Sequence, residues 1–84
     1  MYVVKFTSQS LEDFKKLKNC NLSPNAKNLV NILKSNPFAN PPPYEKLCGD
    51  LKSFYSRRIN YKHRLVYYVD EQKQEVIIVS MWNE

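Results

Sequence analysis

The chain has 84 residues, of which 43% are hydrophobic and 25% charged, and carries a formal net charge of +5. That apolar share is too high for a disordered chain, and the length leaves room for a single domain (1–84) with one modest core. No apolar run approaches the roughly 20 residues needed to span a bilayer. The start, Met1-Tyr2-Val3-Val4-Lys5-Phe6, lacks the basic leader and long apolar stretch of a secretion signal, so a cytoplasmic location is expected and no membrane partner. The positive charge points to a polyanionic partner, nucleic acid or an acidic protein, without choosing between them.

In chain order, Met1 to Phe6 is rich in β-formers and reads as a first strand. A helix follows, capped by Ser8 or Ser10, with Glu12 and Asp13 in its first turn and a stripe of Leu11, Phe14, Leu17 and Lys18. It ends near Asn19-Cys20-Asn21. Ser23-Pro24 then supplies a capping hydroxyl and a proline at the first helical position, and Ala26, Leu29, Val30 and Leu33 repeat at helical spacing. Asn36-Pro37 closes this second helix, giving a helical hairpin.

Asn40-Pro41-Pro42-Pro43 excludes helix and sheet interior and reads as a stiff, extended connector. Beyond it the period switches to strands: Phe54 to Ile59, Arg64 to Val69 and Glu75 to Met81. The short links Asn60-Tyr61-Lys62 and Asp70-Glu71-Gln72-Lys73 predict an antiparallel meander. The run Val76-Ile77-Ile78-Val79 suggests a central strand covered on both sides. The expected fold is α+β, with the hairpin packed on one face of a curved antiparallel sheet.

Two features carry chemistry. Cys20 and Cys48 lack a Cys-x-x-Cys spacing; a single disulfide between them is open, but free thiols are the expected form in a reducing compartment. With one histidine and no clustered ligands, neither a metal nor a cofactor is expected. The second feature is charge. Between Leu51 and Val69 lie Lys52, Arg57, Arg58, Lys62 and Arg64 and no carboxylate, interleaved with Phe54, Tyr55, Tyr61, Tyr67 and Tyr68. Cations beside rings on a sheet suit single-stranded RNA, arginines holding phosphate and rings such as Tyr55 stacking bases. A solvated sheet face with tyrosines serving as core gives the same composition. Strand alternation sends Arg64, Val66 and Tyr68 one way and Leu65, Tyr67 and Val69 the other, and it separates Arg57 from Arg58, so the five cations cannot share one surface.

The string Ser56-Arg57-Arg58-Ile59-Asn60-Tyr61-Lys62-His63-Arg64-Leu65-Val66-Tyr67 resembles the SRRI-xxx-HRLVY signature of the YoeB/Txe toxins, within the RelE superfamily. Pro37-Phe38, Tyr44-Glu45-Lys46-Leu47 and Leu51 sit where that family has its PF, its EPL- or EKL-type segment and a leucine, and Glu75 to Trp82 resembles its last strand. The N-terminal strand and hairpin agree in layout. The resemblance implies a RelE-like toxin of a type II toxin–antitoxin pair, which enters the ribosomal A site and cuts mRNA there. The RNA's own 2′-hydroxyl would be the nucleophile, leaving a cyclic phosphate. By resemblance Glu45 is the general base, Arg64 stabilises the charge of the phosphorane, and Arg58 holds phosphate or substrate backbone; the charge pattern adds Arg57, Lys52 and Lys62, with Tyr55, as further candidate RNA contacts. His63 matches a histidine that looks structural in the family.

The family typically ends in a His-Tyr pair, the histidine serving as general acid. Here Glu84 falls at the histidine position, and a glutamate, ionised at neutral pH unless buried, is a poor proton donor. Glu84 is therefore the third candidate catalytic position, and three explanations stand: a weakened or inactive toxin, a shortened chain, or another group as acid. The implied partners are a Phd/YefM-type antitoxin with an acidic tail, the ribosome and its mRNA; a homodimer is left open. Two other classes of function remain: a non-catalytic module that keeps the partner contacts, and an unrelated basic domain that binds RNA or DNA without a ribosome.

Overall fold

The computed structural model describes residues 1–47 and 54–82. Its elements run β1 (Val3–Phe6), α1 (Ser8–Asn19), α2 (Ser23–Ser35), β2 (Tyr44–Leu47), β3 (Phe54–Arg58), β4 (Arg64–Asp70) and β5 (Glu75–Ser80). The five strands form one sheet in the order β1-β5-β4-β3-β2, with β2 to β5 antiparallel throughout and β1 parallel to β5. The sheet is therefore mixed, not purely antiparallel. After β1 the chain crosses through both helices, and it returns to the middle of the sheet by the meander, which sets β5 alongside β1 in the same direction.

The helical hairpin covers one face only. Leu17, Ala26, Leu29 and Leu33 pack on Leu65, Tyr67, Val76 and Ile78, with Ile59 and Met81 completing the core. α2 buries the face its spacing foretells. α1 does not: its buried residues are Ser10, Asp13 and Leu17, whereas Leu11 is half exposed and Lys18 lies over the ring of Phe14. The reason is its start. Thr7, not Ser8 or Ser10, is the N-cap, its Oγ1 accepting from Ser10 N and donating to the carbonyls of Ile78 and Val79. That cap ties the helix to β5 and turns Asp13 inward, where its carboxylate accepts hydrogen bonds from the Met81 N–H and from Gln9 Nε2. It also moves Glu12 and Asp13 out of the first turn. α2 begins at Ser23, but Leu22 is the N-cap and makes no side-chain capping bond.

β5 lies inside the sheet, yet only Val76 and Ile78 are buried, and Ile77 and Val79 are half-buried on the side the helices leave open. It is covered on one side rather than both. The β3–β4 link is fixed by Asn60, whose Oδ1 accepts from the backbone N–H groups of Lys62 and His63. A strand unforeseen in the sequence, β2, follows the prolines directly and pairs with β3 at the sheet edge. Cys20 is an exposed free thiol; Cys48 lies outside the described residues, as does Leu51. Among the described residues no helix is long and apolar enough to cross a membrane.

Candidate functional site

The site lies on the open face of the sheet. Register fixes its members: Glu45 of β2 stands opposite Ser56 of β3, and Ser56 opposite Val66 of β4, while Arg58 stands opposite Arg64. Alternation then puts Glu45, Ser56, Arg58, Arg64 and Val66 on the side away from the helices. Arg64 reaches diagonally across β3. Its Nη1 donates to Ser56 Oγ at 3.2 Å and to Glu45 Oε2 at 3.1 Å. A short side chain at Ser56 lets the guanidinium pass over the strand and supplies an acceptor beneath it. The ion pair is wet, its side chains 32% and 66% exposed for Arg64 and Glu45.

Beside the pair is a cleft of about 190 Å³ lined by Leu47, Ser56, Arg64, Val66, Ser80 and Trp82. Ser80 reaches it through a β-bulge. The register with β4 shifts between Val66 and Tyr67, and the extra residue on β5 turns Ser80 to face Val66. Trp82 is the far wall. Its indole stacks on His63 with centroids 4.0 Å apart, and Lys16 Nζ lies 5.7 Å from the ring. His63 is buried and donates its backbone N–H to Asn60, a structural placement.

The other sequence candidates separate. Arg58 is exposed on the same face as Arg64, and Lys62 is exposed in the adjoining turn. Arg57 is not on this surface. It is 1% exposed, on the helix side of β3, with its guanidinium bonded to the carbonyls of Pro37, Ala39 and Pro42 and to Tyr67 Oη. A direct contact with RNA does not fit that placement. Tyr55 is also turned inward, packed on Phe38, Tyr44 and Tyr67. In both cases strand parity separates the residue from Ser56 and Arg58 and sends it to the covered side. Tyr67 is buried beside them, donating to Pro37 O and accepting from Arg57 Nε. Burial raises its phenol above the ordinary value of 10.0, against the opposing pull of Arg57. Lys52 and Glu84 lie outside the described residues.

Ser56, Ser80 and Trp82 were not among the sequence candidates. The signal for Ser56 was present, since it shares strand parity with Arg58. Ser80 carried none, because a bulge reverses the parity that sequence counts. Among the described residues no group of His, Cys, Asp or Glu could hold a metal ion.

Two helices packed on one face of a five-stranded mixed sheet, with the other face open, is the fold of a class of small bacterial toxins. The structure superposes on a YoeB/ParE toxin from Agrobacterium tumefaciens with a TM-score of 0.85 at 26% identity, covering 98% of each chain. It matches the YoeB-YefM complex from Staphylococcus aureus with a TM-score of 0.81 at 31% identity, over 100% of this chain and 98% of that one. A YoeB dimer from the same organism gives a TM-score of 0.80 at 30% identity, over 99% and 97%. A comparison with curated proteins gives no match. The family model described as YoeB-like toxin of bacterial type II toxin-antitoxin system matches residues 6–82. The chain belongs to that family of toxins.

Proposed function

We propose that the chain, acting as one domain, is an endoribonuclease that cuts mRNA on the ribosome. The observation that carries this reading is the placement of Glu45 and Arg64 together over Ser56, at the mouth of the cleft. In the step proposed, Glu45 takes the proton of an RNA 2′-hydroxyl, whose oxygen attacks the adjacent phosphorus. Arg64 stabilises the charge that develops on the phosphorane oxygens, and as the bond to the 5′-oxygen breaks that oxygen takes a proton from solvent water, to which Glu45 later returns the one it took. The products are a 2′,3′-cyclic phosphate and a 5′-hydroxyl.

The ion pair supports this assignment. An exposed pair of this kind contributes about 0–1 kcal/mol, so an arriving phosphate exchanges cheaply for the carboxylate on Arg64. Arginine binds phosphate through two parallel hydrogen bonds. The exchange leaves the Glu45 carboxylate free to act as base. Arg58, directly across from Arg64, and the exposed Lys62 extend the positive surface along which the RNA backbone would run. The expected partners are the ribosome with its mRNA, and an antitoxin whose acidic tail covers this face, as complementarity with a +5 chain favours.

The test is incubation of the purified protein with ribosomes carrying a defined mRNA, reading for cuts within the reading frame that leave a cyclic phosphate. Intact mRNA at saturating protein sinks the reading. One observation favours a second reading, in which the chain binds antitoxin and ribosome without cutting. In the sequence Glu84 falls at the position of the family's acid, and among the described residues the cleft is lined by Ser56, Ser80 and Trp82 with no histidine. Glu84→His is then expected to create or raise cleavage; an unchanged rate counts against this second reading.

A further inference from the structure

Pro37, Pro41, Pro42 and Pro43 make the stretch before β2 poor in N–H groups, so it cannot join a sheet ladder. Its carbonyls still need donors. One side chain supplies them. Arg57 donates from Nη1 to Pro42 O at 2.6 Å, and from Nη2 to Pro37 O and Ala39 O, each at 2.9 Å. Its Nε donates to Tyr67 Oη, which in turn donates to Pro37 O. Arginine carries five N–H donors in a rigid fork, and here bonds run from all three nitrogens. The guanidinium also lies 4.9 Å from the ring centre of Tyr44, the first residue of β2 and the register partner of Arg57 itself.

β2 is short and, among the described residues, lies at the sheet edge with β3 as its one strand neighbour. Its placement rests on that ladder and on what holds the chain just before it. The very next register pair after Tyr44–Arg57 is Glu45–Ser56, the one that sets the carboxylate beside Arg64. We infer that Arg57 is a positioning residue for the reaction: from the covered side of the sheet it clamps the proline segment and Tyr44, and so sets where Glu45 stands on the open side.

This rests on the cleavage reading above, and the test separates the two. Arg57→Lys keeps the charge but loses the fork and the planar face. Displacing a reacting group by about 1 Å costs on the order of 100-fold. The single-turnover rate on ribosome-bound mRNA is therefore expected to fall roughly 10- to 100-fold, with affinity for the ribosome kept within about threefold. Hydrogen exchange at the amides of Tyr44–Leu47 is expected to rise more than in β4 and β5. Leu33→Val, in the core away from β2, is the control for general loosening and is expected to leave the cleavage rate unchanged. If Arg57→Lys does not fold, Tyr44→Ile takes its place under the same criteria. A substituted protein that cleaves at the wild-type rate, or whose β2 exchange rises no more than in the control, overturns the inference. A wild-type chain that cuts nothing fails the cleavage reading, and the exchange comparison alone then decides whether Arg57 holds β2.

Discussion

Glu45→Gln separates chemistry from folding most cleanly, because it keeps the shape of the side chain and removes its charge and its basicity. The Glu45–Arg64 contact is 3.1 Å long with side chains 66% and 32% exposed. Two charges at that distance in water attract by about 1 kcal/mol, and ordering two long side chains offsets part of it, so the net stabilisation is about 0–1 kcal/mol. For a domain of this size 1 kcal/mol corresponds to about 4–8 °C in Tm, which bounds the expected loss. Removing a positioned general base costs about 10²–10⁴-fold in rate, or about 2.7–5.4 kcal/mol of barrier. The catalytic loss outweighs the stability loss several-fold. Glu45→Gln is thus expected to melt within a few degrees of wild type and to cleave ribosome-bound mRNA at least about 100-fold more slowly. The assay is single-turnover cleavage beside a thermal melt of the same preparation. A rate within about threefold of wild type refutes the assignment of Glu45 as base, and a collapse in Tm refutes the claim that its ion pair is a surface feature.

The phenol of Tyr67 titrates above 10.0 because it is buried, so the unfolded chain releases this proton first. Stability due to it is complete below that value and is lost as pH rises past it; Tyr67→Phe is expected to flatten the decline in urea midpoint as pH rises above 10.0. Asp13→Asn exchanges one acceptor oxygen for an NH2 group facing Met81 N–H or Gln9 Nε2, donor against donor. It is expected to cost about 1–3 kcal/mol, seen as a lower urea midpoint. Leu33 is fully buried, so Leu33→Ala is expected to cost about 2–5 kcal/mol with an unchanged m-value.

Much of this was legible in the chain itself. The two helices, the three-stranded meander from Phe54 onward, the buried face of α2, the Asn60 link and the opposite pointing of Arg57 and Arg58 all follow from local rules of spacing and parity. The motif from Ser56 to Tyr67, with Tyr44 to Leu47, marked Glu45 and Arg64 as members of one site. Parity, however, tells which residues share a face and not which face is covered. Arg57 and Arg58 were equivalent cations until the proline segment closed over one of them; Arg57 then became the internal clamp and Arg58 stayed on the open face with Arg64 and Glu45. Nor do local rules pair segments distant along the chain. The parallel β1–β5 contact, the strand hidden behind the prolines, the Thr7 tie to β5 and the bulge that turns Ser80 outward each depend on a partner more than a few residues away. The residue types of the proposed site between Glu45 and Arg64 were thus written locally, whereas the meeting of carboxylate and guanidinium over Ser56 was decided by the register of three strands.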